Sequence, residues 1–182
     1  MFFVKNILIA IAVFSTCTAS GQWTLQSSGT SQTLLGVSNL DADTGIAIGV
    51  SGIILRTTNG GTTWITVPSG TTRFLRGLHF FNERVGTAVG ELGTILRTTD
   101  AGLSWSPQSN ANSTTLVHVW MSDTGIATAV GLNGIILRKT DADTSWIVQS
   151  SGTTVELTAV HFTNAMVGTV VGFNGTILTT AD

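Results

Sequence analysis

The chain has 182 residues, of which 10% are charged, with a formal net charge of −2. Ordinary soluble domains carry roughly a quarter charged residues, so solubility here falls to Ser, Thr, Asn and Gly, and the balance lacks the basic stripe that nucleic-acid binding requires. The length is enough to bury a real core.

Residues 1–21, "MFFVKNILIAIAVFSTCTASG", join an early Lys5 to an apolar stretch from Ile7 to Phe14 and then to small residues. This predicts a secretory signal peptide cut close to Ala19–Gly21, too short to span a bilayer and leaving no membrane span after cleavage. Cys17, the only cysteine, lies inside it, and Phe14-Ser15-Thr16 before it fits a lipobox poorly. Cleavage beyond Cys17 leaves a mature chain without a disulfide.

From residue 22 onward the sequence repeats. Trp23, Trp64, Trp105 and Trp146 are spaced by 41 positions, as are Gly49, Gly90, Gly131 and Gly172, and Gly52, Gly93, Gly134 and Gly175. An undrifting period of 41 falls among the roughly 40–50 residues of four-stranded propeller blades. The repeats run approximately 23–63, 64–104, 105–145 and 146–182, the last incomplete, which predicts an all-β fold with about four blades of a larger propeller.

Within the second copy, "FLRGLHF" (74–80), "VGTAVG" (85–90) and "GTILRTT" (93–99) read as strands, short, rich in branched and aromatic residues and punctuated by glycine. The Gly-x-x-Gly turns at 49–52, 90–93, 131–134 and 172–175 join second to third strands, their glycines supplying positive φ. A second turn follows, in which Asn59, Asp100 and Asp141 are placed to bond the amides ahead of them, Gly61 and Gly102 relieve strain, and Trp64, Trp105 and Trp146 open the outer strand. "WTLQSSGT" at 23–30 matches "WIVQSSGT" at 146–153, so it reads as an outer strand with no blade before it. It completes either the fourth blade here or the last blade of a longer protein; because the fourth copy stops inside its capping turn, a truncated fragment is the expectation.

"TTNGGTTW" (57–64) and "TTDAGLSW" (98–105) resemble Asp-box, or bacterial neuraminidase, repeats, and the whole unit is similar to the repeat of the photosystem II stability and assembly factor family. The resemblance covers residues 23–182 and departs in the third copy, where Lys139 replaces the leading Ser/Thr and Asp143 the glycine. It implies a β-propeller acting as a non-enzymatic assembly scaffold, and it fixes fold more firmly than biology.

The Asp-box residues are expected to build the fold. Arg56, Arg97 and Arg138 share one register, giving either a cationic arc for an acidic peptide or carboxylated sugar, or guanidiniums stacked and paired locally. The turn tips vary between copies, and Leu92, Leu132 and Phe173 there present apolar surface as candidate binding residues. His79 and His161 share a register with Trp120, and His118 stands two residues earlier; without paired local spacing they predict no metal. No cofactor motif is present, and no catalytic residue is assigned: a sialidase needs a tyrosine, of which the chain has 0, and Glu83, Glu91, Asp123 and Glu156 sit in no recognisable motif.

The leading expectation is therefore a secreted, periplasmic or cell-surface propeller that binds a protein or peptide partner, with carbohydrate as a lesser candidate and no nucleic acid. The alternatives are the blades of an Asp-box glycoside hydrolase, or a surface adhesion module.

Overall fold

The computed structural model describes residues 23–122, 125–140 and 145–181. The expected signal peptide, Asp123 and the third Asp-box turn with Asp141 lie outside the described residues.

Four antiparallel sheets follow one another along the chain, each a meander of sequence-adjacent strands. The first contains β1 (Leu34–Asn39), β2 (Thr44–Gly49), β3 (Ile54–Thr58) and β4 (Ile65–Thr66). The second contains β5 (Leu75–Phe80), β6 (Gly86–Gly90), β7 (Ile95–Thr98) and β8 (Ser106–Pro107). The third contains β9 (Leu116–Met121), β10 (Ala127–Gly131), β11 (Ile136–Lys139) and β12 (Ile147–Gln149). The fourth has three strands, β13 (Leu157–Phe162), β14 (Val167–Gly172) and β15 (Ile177–Ala181). The sequence period is thus carried into the ladder: Leu34, Leu75, Leu116 and Leu157 each pair with the first glycine of a Gly-x-x-Gly turn.

The sheets pack face on face, which is why β6 and β10 are buried along their whole length and combine small with branched residues. Their alternate side chains serve opposite neighbours. Ala88 joins Ile46, Ile48, Ile54 and Leu75 between the first and second sheets, while Val89 joins Leu116, Val119 and Leu137 between the second and third. Val130, Leu157, Val160 and Phe162 form the third such layer.

The first strands β1, β5, β9 and β13 adjoin in order. They carry His79, Trp120 and His161 as a stack, with successive ring centroids 4.1 Å apart. His79 Nδ1 accepts the Met121 N–H at 3.1 Å and His118 Nδ1 accepts the Val160 N–H at 3.4 Å, so each imidazole pins its blade to the next.

Two expectations change. The first glycine of each Gly-x-x-Gly turn has extended backbone, φ −173° at Gly49 and −170° at Gly90, so positive φ is not its reason. A Cβ there would strike the carbonyl of the preceding inter-blade connection, Thr33 O or Phe74 O, whose close approach is sealed by the Val50 and Glu91 N–H bonds, both 3.0 Å. Positive φ belongs to the second glycine and the residue before it, Ser51, Leu92, Asn133 and Asn174. Residues 23–30, moreover, form no strand, and among the described residues no strand flanks β15 on its free side and no ring is closed. A strand exists only with a partner edge. The fourth sheet's edge lies at the far end of the series, while Gln26 and Ser28 lie beside Leu34–Val37 of the first.

Candidate functional site: the turn-tip groove and the Asp-box frame

The outer turns hold the frame. In the second blade the buried Thr98 hydroxyl is the hub: it donates to Asp100 Oδ1 at 2.8 Å and accepts the Gly102 N–H at 3.0 Å. Asp100 also accepts the Ser104 N–H at 2.9 Å and the Ser104 hydroxyl at 2.6 Å. These bonds stabilise the anion and hold the Asp100 carboxyl down at about 2. The first blade repeats the arrangement with a neutral amide: Thr57 Oγ1 donates to Asn59 Oδ1 at 3.0 Å, and that oxygen accepts the Thr63 N–H at 2.9 Å. Asp41 closes a smaller turn by accepting the Asp43 and Thr44 amides at 2.8 and 2.6 Å, which lowers its carboxyl.

The second blade's turn also seats that blade on the first. Gly102 (φ +76°) leaves no room for a Cβ, which would meet Ile46 Cδ1 of the first blade at 2.6 Å. Beside it, Arg56 Nε donates to Ala101 O at 2.9 Å. Trp105 packs edge-on against Phe80, with centroids 6.0 Å apart; Trp146 is buried in the core between second and third blades, and Trp64 is half-buried beside Gly45 and Gly61.

The three arginines hold equivalent positions on β3, β7 and β11, all half-buried. Arg56 reaches the next blade's carbonyl, and Arg138 donates to Ala165 O with its guanidinium 5.0 Å from the Phe162 ring centroid. The residue of the third blade equivalent to Ala101 lies outside the described residues. Arg56 and Arg138 thus bond from their own blade to the next, and Arg138 also lies over a phenylalanine ring there.

At the turn tips Leu92 and Phe173 are exposed and Leu132 is half-buried. Leu92 is the outlier: its φ is +52°, where Ser51, Asn133 and Asn174 stand in the other copies. A leucine in left-handed backbone costs on the order of 1 kcal/mol that glycine, or in part asparagine, avoids. Leu92 overlooks a groove of about 1320 Å³ between the tips of the first and second blades, lined also by Gln32, Ser51, Arg73, Asn110 and Asn112. Arg73 is exposed there and bonds Leu92 O at 3.3 Å through one nitrogen, and Arg76 pairs with Glu91 at 3.2 Å behind it.

Sequence reasoning found the tip residues but not the connections 66–73 and 107–113, which form the groove's walls. Nor did it single out Thr57 and Thr98. The threonine–threonine pairs before the turn were visible in the repeat; that the first member of each is buried followed only from strand direction. His79 is pushed down to about 4, by burial first and then by the neighbouring His118 and His161, and burial lowers His118. Among the described residues no group of three His, Cys, Asp or Glu side chains is placed to hold a metal ion. No helix of the described residues is long and apolar enough to cross a membrane.

Face-packed four-stranded meanders stitched by Asp-box turns define a propeller-type repeat protein, with its variable surface at the turn tips. The family model for the photosynthesis system II assembly factor YCF48 matches residues 15–109, and the chain belongs to that family. The fold is shared with a structure described as YCF48 bound to D1 peptide, at TM-score 0.65 and 22% identity over 84% of this chain and 53% of that one. YCF48 from Cyanidioschyzon merolae matches at TM-score 0.67 and 18% identity, over 82% of this chain and 50% of that one. The chain spans about half the length of these YCF48 structures. An ancestral GH74 enzyme shares the fold at TM-score 0.61 and 14% identity, over 80% of this chain and 24% of the enzyme. No curated protein matches the chain significantly.

Proposed function

We propose that the chain is a non-enzymatic assembly scaffold that holds an extended segment of a partner protein in the turn-tip groove, and that residues 1–21 deliver it to the periplasm or cell surface. One observation carries the reading: the chain belongs to a family of assembly factors, and a structure of that fold is described in complex with a D1 peptide. The groove supplies suitable chemistry. The Asn110 amide is spent on Gly93 O and the Asn112 N–H, so it braces the wall; Leu92 offers an apolar contact, and the remaining N–H donors of Arg73 suit a carboxylate. An exposed, strained leucine at the mouth of a groove fits a residue retained for contact rather than for the turn.

A peptide array containing the D1 peptide, carboxylate-bearing and neutral extended peptides, with acidic glycans spotted beside them, tests the reading. Saturable binding of carboxylate-bearing peptides, weakened by Arg73→Gln and by Leu92→Asn, is the expected result. Glycan turnover, or glycan binding with no peptide retained, overturns it.

A further inference from the structure

The innermost strand of each blade is an edge strand: within its sheet β9 pairs only with β10, and β13 only with β14. Main-chain amides on the free edge therefore need partners from outside their own sheet. Two histidines supply them. His79 on β5 accepts the Met121 N–H of β9 at 3.1 Å, and His118 on β9 accepts the Val160 N–H of β13 at 3.4 Å, each through Nδ1. The repeat itself does not demand histidine at either place. The position of His79 holds Ser38 in the first blade and Trp120 in the third, and the position of His118 holds Gly36, Gly77 and Ala159 in the other copies. With Ser38 and Gly36 there, the first blade has no histidine to reach the second, and the bond from Arg56 to Ala101 O joins those two blades instead.

An Nδ1 that accepts a main-chain N–H is unprotonated, with the ring hydrogen on Nε2. A proton added there turns the acceptor into a donor aimed at another donor, so the bond is lost and the edge amide is stranded. The surroundings give an imidazolium no relief. Strands β1, β2, β5, β6, β9, β10, β13 and β14 carry no carboxylate. Of the turn tips packed against them, that of the second blade brings Glu91, which is already engaged by Arg76 and the Phe74 N–H. The other neighbours are cations or further imidazoles. Arg76 shares β5 with His79, and Arg97 stands beyond Thr87 in the same cross-strand row. His161 joins His79 on the two sides of Trp120, each ring centroid 4.1 Å from it. Burial, then His118 and His161, accordingly hold His79 down at about 4, and burial lowers His118.

We propose that His79 and His118 form an acid-released clasp: protonation frees the inner edges of β9 and β13 from the preceding blade, while the first and second blades stay joined. At neutral pH both bonds are made. As pH falls below the ordinary imidazole value of 6.5, the open form binds a proton that the closed form resists until about 4, so acid favours opening. Between pH 7 and pH 5 this difference raises the open population at His79 by about 20-fold. Over the same range Arg56 keeps its charge, and its bond to Ala101 O is untouched.

The test is amide hydrogen exchange of the full chain, read by NMR at pH 7 and pH 5, with protection factors corrected for the pH dependence of intrinsic exchange. The expected result is a fall in protection of about 20-fold at Met121 and a fall at Val160, against less than about twofold for the amides of β2 and β3 in the first blade. His79→Gln, whose carboxamide oxygen accepts at either pH, should abolish the fall at Met121 and leave that at Val160. No fall at Met121, an equal fall across the first blade, or a fall at Met121 that survives in His79→Gln overturns the proposal. The imidazole nitrogen shifts of the wild type test the same point without a substitution. At pH 7 they should show the Nε2–H tautomer for His79 and His118, and the Nδ1–H tautomer at either overturns its clasp.

Discussion

Replacing Thr98 by valine removes one hydroxyl and keeps the shape of the side chain. Two groups lose a partner: the Gly102 N–H, buried and 3.0 Å from Thr98 Oγ1, and the Asp100 carboxylate, 2.8 Å away. A buried donor left unpaired costs about 1–3 kcal/mol, and a hydrogen bond to a charged group is worth about 1.5–3 kcal/mol. Asp100 keeps its two bonds from Ser104 and partial access to water, which places the total at about 3 kcal/mol. For a chain of this size that corresponds to a fall in Tm of roughly 6–12 °C. Urea unfolding followed by tryptophan fluorescence measures it, with Thr57→Val as an internal comparison. There the acceptor is the neutral Asn59, so the loss should be smaller, about 1–2 kcal/mol. If both variants lose less than about 0.5 kcal/mol, a difference too small for either lost bond, the threonine is not the hub of the turn.

Gly102→Ala should destabilise by about 1–3 kcal/mol, through its positive φ and its collision with Ile46, and should loosen the contact between first and second blades in hydrogen exchange. Stability should be pH-dependent through His79, whose folded value of about 4 lies below its ordinary 6.5. The folded state resists protonation, so stability is complete above pH 6.5 and declines as pH falls towards 4, and the urea midpoint should follow that window. Asp100 acts lower: its contribution is complete above about 3.8 and is lost as pH falls towards 2. Leu92→Asn should raise stability by up to about 1 kcal/mol by relieving left-handed strain, while weakening peptide binding; a variant that binds as well as the wild type would remove Leu92 from the site.

The fold was legible in the sequence wherever a residue's role repeats with the period. "VGTAVG" (85–90) reads as a strand from its shortness, branched residues and bounding glycine, and the carboxamide or carboxylate of Asn59 and Asp100 announces a turn closed onto amides ahead of it. Roles set by a neighbouring blade were not legible. Arg56 finds its acceptor 45 residues away, at Ala101 O, and nothing local to either residue signals it. The first glycine of Gly-x-x-Gly looks like a turn residue but is required by the approach of Thr33 O. "WTLQSSGT" has the composition of a strand, yet composition cannot supply the edge that makes a strand; without one, residues 23–30 stay unpaired. Of the groove, the apolar tip Leu92 was readable because it varies inside a constant frame, while the tip Phe173 lies on the fourth blade, away from it. The groove walls and Arg73 were not, because they belong to connections whose meeting depends on blade packing.

Fluorescence anisotropy of a labelled D1 peptide, titrated with wild-type protein and with Leu92→Asn and Arg73→Gln, tests the central claim most directly. Saturable binding to the wild type, reduced at least tenfold in both variants while their unfolding midpoints hold or rise, is the predicted result. No binding, or equal binding by all three proteins, would contradict a peptide-holding scaffold built on this groove.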